Sequence, residues 1–390
     1  MKKRKIKKKV KIFLFLVIFL FIGIGCFIGY SFFHKTIIKE ELTAKREKIN
    51  YGIFDEYYLS AKELVKSMSL EEKVGQLFLV RYYNEYVDEY KNYYPGGYLL
   101  FAKDFQGHSK DSIRDEINYV QSIHKYPLLM AVDEEGGYVV RVSRYLRYDS
   151  FEAPRYYYDQ GGYELLEQME NEKAELLKDI GINLNLAPVA DYSTDPNDFI
   201  YNRAFGYDID KTSEYIKNMV SYANNNHINS CLKHFPGYGN NVDTHTGIAY
   251  DARSYKNFLD NDYKPFIAGI NAGVPSILVS HNIVESMDSN YPASLSKKVH
   301  DELRNVLRFS GVIMTDDLAM DAVLGYVNDG RAAVMAVNAG NDMIITSDFI
   351  TMKDQVLNAV NNNEISEDTI NQAVERVIAW KYYSGLLKKS

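Results

Sequence analysis

The stretch GVIMTDDLAM at positions 311–320 decides how the chain is read. Its first half is short, apolar and β-branched, the composition of a strand buried on both faces. Its second half opens with two adjacent carboxylates, Asp316 and Asp317. A buried strand that ends in acids implies a parallel sheet whose carboxyl edge carries chemistry, so the question becomes whether other strands end the same way.

Working outward, seven more short apolar runs qualify as strands: 75–80, 97–102, 128–132, 182–187, 230–233, 276–280 and 342–346. Helix-length segments separate most of them. In 296–309, for example, Ser296 can cap a helix on which Val299, Leu303, Val306 and Leu307 share one face. Eight strands in strand–helix alternation predict an α/β fold, a single (β/α)8 TIM barrel, with an open doubly wound sheet as the competing architecture. The polar residues favour the barrel. Asp133 follows the third strand, Pro188 and Asp191 the fourth, Lys233 and His234 the fifth, His281 the sixth and Asp316 the seventh, whereas the strand starts carry mainly Gly, Pro and Asn. All of these side chains would converge on one rim.

The composition, 46% hydrophobic and 25% charged over 390 residues, is that of a globular protein able to bury a large core. The net charge is −7, and Lys2, Lys3, Arg4, Lys5, Lys7, Lys8, Lys9 and Lys11 put eight positive charges into the first eleven residues, so the remainder carries −15. An acidic body argues against a nucleic-acid partner, which requires a basic face. Residues 12–33 hold no charge and are long enough to span a bilayer, and the basic cluster before them favours a cytoplasmic N-terminus. The expected organisation is therefore a basic cytoplasmic segment at 1–11, a membrane anchor at 12–33, a polar stalk at 34–55 and a catalytic domain at 56–390 facing the outside. A cleaved signal peptide and a lipoprotein attached through Cys26 are the alternatives. Only Cys231 lies in the body, so no disulfide is available there.

Three segments carry candidate chemistry. In KHFPGYGNNVDTHTG at 233–247, a strand end runs into a polar loop in which Asp243 can accept from one nitrogen of His245, leaving the other to move protons. A pair that merely stabilises a turn would look the same. In the opening stretch, one acid can face the barrel axis while its neighbour holds the loop; Asp316, directly on the strand, is the inward candidate. In AVDEEGGYVVRV at 131–142, Asp133 and Arg141 flank a Gly136–Gly137 turn and present both an acceptor and a fork of donors to a polyhydroxylated ligand, or else bridge to each other.

Together with SLEEKVGQLF, PGGYLLFA, GINLNLAPVAD, NRAFG, PASLS and AGNDMII, these segments closely resemble family 3 of the glycoside hydrolases, in particular its single-barrel β-N-acetylglucosaminidases. The resemblance implies a retaining double displacement with Asp316 as nucleophile. It implies His245 as general acid/base tuned by Asp243, with Asp133, Arg141, Arg203, Lys233 and His234 holding the sugar. It implies no metal and no organic cofactor. The partner would be a carbohydrate with terminal N-acetylglucosamine, and with the anchor its setting would be the outer face of a bacterial membrane, against peptidoglycan or its fragments. Tyr238, Thr244 and Ala249 stand where the family more often has His, Ser and Pro, which bears on how the loop closes and on leaving-group preference. Phosphate in place of water as acceptor, a zinc site on His234, Asp243 and His245, and a sugar-binding protein without turnover are the other readings of the same residues. Sequence leaves the oligomeric state open.

Overall fold

The computed structural model describes residues 52–241, 247, 249–320, 323, 325–327 and 330–389. The expected anchor at 12–33 and the expected dyad, Asp243 and His245, lie outside the described residues. Among the described residues, no helix is long and apolar enough to cross a membrane.

Eight parallel strands form the centre: β1 Phe78–Arg81, β2 Gly97–Leu100, β3 Leu129–Val132, β4 Leu184–Asn185, β5 Asn229–Phe235, β6 Ser276–Val279, β7 Val312–Thr315 and β8 Ile344–Thr346. They pair in the order β8-β1-β2-β3-β4-β5-β6-β7. A parallel bridge from Met314 to Met343 then brings β7 back beside the start of β8. Sequential order with no reversal is that of a barrel-like sheet and excludes the doubly wound alternative, whose strand order must change direction at a switch point. Every barrel strand is buried along its whole length, which is why the sequence shows apolar runs and not alternation.

The helices between the strands follow from capping and periodicity. Ser69 and Glu72 form a reciprocal capping box at the start of α2 (Leu70–Gln76), 3.2 Å and 2.9 Å, after α1 (Tyr58–Lys66). In α3 (Lys110–Ile123), Ile113, Ile117 and Val120 turn one stripe inward. Then come α4 (Pro154–Asp179), α5 (Ile209–Asn225), α6 (Tyr263–Asn271), α7 (Lys297–Asp301), α8 (Ala332–Ala339), α9 (Phe349–Asn361) and α10 (Glu367–Tyr383). Ser296 caps α7 as its position predicts, its hydroxyl accepting from the Val299 amide at 3.4 Å.

One expected strand is displaced. The run 75–80 begins inside α2, and the strand starts only at Phe78. Gly75 marks a close approach and not a strand start, since a Cβ there would stand 2.2 Å from the Tyr93 carbonyl oxygen.

The amino end of the barrel is sealed by α10. Trp380, fully buried, donates to Asn229 Oδ1 at the start of β5 (2.8 Å), and Lys381 donates to Gln76 Oε1 ahead of β1 (2.7 Å). The packed body takes in Phe54, whose ring meets that of Tyr383 at 5.4 Å, and the Ile53 amide donates to Ser310 Oγ just before β7 (3.1 Å). Burial pulls the Lys381 ammonium down to about 7, against roughly 10.4 in an unfolded chain. Between those values the unfolded chain holds a proton that the folded one does not, so this residue makes stability rise with pH, and its cost is fully present below about 7. Lys381→Met removes that dependence. In urea unfolding, the variant should gain on the parent at pH 6 relative to pH 9, and an identical difference at both values would show that Lys381 is not buried as a base.

Candidate active site

The carboxyl ends of the strands surround a cavity of about 240 Å³, lined by Leu99, Phe101, Asp133, Arg141, Arg203, Lys233, His234, Tyr238 and Asp316 among others. Five of the sequence-predicted sugar contacts and the predicted nucleophile therefore share one cavity. The two remaining candidates, Asp243 and His245, belong to the loop outside the described residues.

The floor is a charged network. Lys233, buried at the end of β5, reaches Asp133 Oδ1 at 2.6 Å and Glu135 Oε1 at 2.7 Å. Arg203 clasps Glu135 with both arms, Nε to Oε2 at 3.0 Å and Nη2 to Oε1 at 2.7 Å. Burial alone would push the Glu135 carboxyl up, but the Lys233 and Arg203 charges outweigh it and hold the group well below the usual carboxylate range. Lys233 is raised for the reciprocal reason: Asp133 and Glu135 overcome its desolvation. The cations are thereby fixed as donors, which a ligand rich in hydroxyl oxygens can use. Arg141 stands 3.9 Å from Asp133, its guanidinium lies over the Phe101 ring at 5.4 Å, and its buried Nε has no hydrogen-bond partner among the described residues.

His234 is oriented from behind. Its Nδ1 lies 2.7 Å from Asp191 Oδ2, and its Nε2 lies 3.2 Å from Arg203 Nη2. Because the guanidinium only donates, Nε2 accepts and the proton sits on Nδ1, pointing at Asp191. Asp191 also accepts from the Tyr238 amide at 2.7 Å, so one buried carboxylate sets both the histidine and the first turn of the loop. Arg253 anchors the other side of that loop, pairing with Asp251 at 2.7 Å and Asp262 at 2.9 Å and donating to the Gly237 carbonyl at 2.9 Å. Gly237 is obligatory there. It has a φ of +125°, and a Cβ would fall 2.3 Å from Asp262 Oδ1.

Both adjacent acids after β7 line the cavity, but their side chains make different contacts. Asp316 lines the cavity, its amide anchored on the Val279 carbonyl at 3.1 Å, and its Oδ1 accepts from the Asp317 amide at 2.9 Å. The Asp317 carboxyl instead ties its own loop, accepting from the Ala319 amide at 2.9 Å and from Ser347 Oγ at 3.5 Å. Burial pushes it up to about 6.

Sequence reading missed Glu134 and Glu135 within the run DEEGG. Glu134 is wholly buried and accepts from the Arg141 and Val142 amides at 2.7 Å each, bracing the turn that carries Arg141. Glu135 carried no local signal, because its partners Lys233 and Arg203 reach it only across the fold.

Residues 69–380 match the family described as "Glycosyl hydrolase family 3 N terminal domain". A beta-hexosaminidase of Nitrosomonas eutropha is 30% identical over 270 residues, 68% of this chain and 77% of that protein. Among solved structures, a family 3 beta-N-acetylglucosaminidase from a Paenibacillus species superposes with a TM-score of 0.78 at 25% identity, covering 83% of this chain and 64% of the other. A beta-N-acetylhexosaminidase from Beutenbergia cavernae gives 0.72 at 26% identity, covering 81% and 99%. With the barrel, the acid at the end of β7 and the cationic floor in place, the chain belongs to glycoside hydrolase family 3.

Proposed function

We propose that this glycoside hydrolase is a retaining, exo-acting β-N-acetylglucosaminidase. Asp316 attacks the anomeric carbon while the bond to the leaving oxygen breaks, and His245, cationic in this step, gives that oxygen its proton. A covalent glycosyl-enzyme results. His245, now neutral, takes a proton from water, whose oxygen displaces the Asp316 carboxylate and restores the original anomeric configuration. Asp243 tunes the imidazole, while Asp133, Lys233, Arg203, His234 and Arg141 hold the ring hydroxyls. The observation that carries this reading is an Asp316 carboxylate lining the same cavity as a fixed set of cationic donors. Relatives described as beta-hexosaminidases support the choice of sugar.

The uncharged run at 12–33 behind a basic N-terminus supports an anchored enzyme acting on cell-wall glycans outside the cell. The test is turnover of an aryl β-N-acetylglucosaminide by the purified chain, with the anomer of the first-formed product read by proton NMR. Release of the β-anomer is expected. The α-anomer would exclude a double displacement, and no turnover of this substrate would exclude the assigned sugar.

A further inference from the structure

Asp316 must present one carboxylate oxygen to the reacting carbon; its amide bonds to the Val279 carbonyl and its Oδ1 accepts from a neighbouring amide. That donor is the amide of Asp317, so the way residue 317 is held bears on the aim of the nucleophile. Its side chain ties it to Ala319 and Ser347, and the neighbouring Leu318 amide bonds to the Ile345 carbonyl at 3.0 Å. Its carbonyl is held from the next strand. His281, fully buried two residues past β6, places Nε2 3.0 Å from the Asp317 oxygen and Nδ1 2.7 Å from Ser294 Oγ.

A carbonyl oxygen only accepts, so Nε2 of His281 carries a hydrogen and donates it. Ser294 faces the other nitrogen, and its own amide is bonded to the Ser280 carbonyl at 2.9 Å, which keeps the pair in one register. The path from Ser294 through His281 and the Asp317 main chain thus ends on Asp316 Oδ1. We propose that His281 is a positioning residue for the Asp316 carboxylate, acting through the Asp317 main chain and never touching the sugar. This rests on Asp316 acting as nucleophile.

The test uses the full chain and a fluorinated N-acetylglucosaminyl fluoride that traps the glycosyl-enzyme, with labelling followed by intact mass. His281→Phe keeps the ring volume and removes both bonds, and His281→Gln restores a donor near the Nε2 position. A misaimed nucleophile should cut the labelling rate and kcat of His281→Phe by about 30-fold while KM stays within about twofold, because only the transition state is affected. His281→Gln should recover to within about fivefold of the parent. Labelling of folded His281→Phe at the parental rate would overturn the inference, even if its melting temperature had dropped, because a merely structural histidine would do that. Should His281→Phe fail to fold, Ser294→Ala decides: a labelling rate lowered about threefold or more at an unchanged melting temperature supports the relay, and the parental rate overturns it. Labelling of the parent at a residue other than Asp316 would instead sink the functional reading, and the relay with it.

Discussion

Under the proposed double displacement, Asp316→Asn is expected to lower kcat on the order of 10³-fold or more, because no later step could proceed without the covalent intermediate. The fold should survive. The amide oxygen of asparagine can still accept from the Asp317 amide that now meets Oδ1 at 2.9 Å, and the β7 backbone is unchanged. The adjacent substitution supplies the control. Asp317→Asn should stay within about tenfold of the parent, since its carboxyl sits against Ala319 and Ser347, and an amide oxygen replaces the acceptor there. Burial holds that carboxyl near 6, so close to neutrality it already spends part of its time uncharged, as the amide is at every pH. Kinetics of both variants on an aryl β-N-acetylglucosaminide, with thermal melts alongside, measure the contrast. Equal losses would mean that the two acids had been assigned to the wrong roles.

Glu135→Ala should be the most destabilising single change at the rim. It leaves Arg203 without its bidentate partner and Lys233 with Asp133 alone, and removing one member of a buried ion pair costs roughly 3–5 kcal/mol. Urea unfolding at pH 7 reads this directly, and Glu135→Gln, which keeps shape and one acceptor, should lose clearly less. Turnover should fall in both, because the cations proposed to hold the sugar are no longer fixed. The acid side has a definite sign. The folded Glu135 carboxyl lies well below its ordinary value, so its contribution is fully present above the unfolded value of roughly 4.3 and is lost only as pH falls toward the folded one. Parent and Glu135→Ala should therefore differ by a constant amount from pH 5 to 8 and converge only in strong acid. A Glu135→Ala variant that unfolded at the parental urea concentration would show that the network is solvated and that its geometry is not set by charge.

Much of the barrel was legible because strands buried on both faces cannot alternate, and their apolar runs stand out between capped helices such as the one begun by Ser296. The first strand was misplaced for a local reason. The expected run opens at Gly75, still inside a helix, and the close approach of the chain at Tyr93 and Tyr94 explains the glycine. Of the residues that line the cavity, Asp133, Lys233, His234 and Asp316 were readable from their positions at strand ends. Glu135 and the Asp191–His234 bond were not, because they are created by tertiary approach across 68 and 43 residues of chain. Local sequence records that such charges exist and not which of them meet.

The sealed amino end of the barrel has a practical corollary. Ile53 is bonded beside the start of β7, and Tyr383 ends the helix that closes the same end, so both residues lie opposite the cavity. A bead, probe or surface coupled through either one leaves the mouth pointing into bulk solution. Joining the two ends and reopening the ring at an exposed helix–strand connection on that side would give a permuted enzyme with an undisturbed cavity.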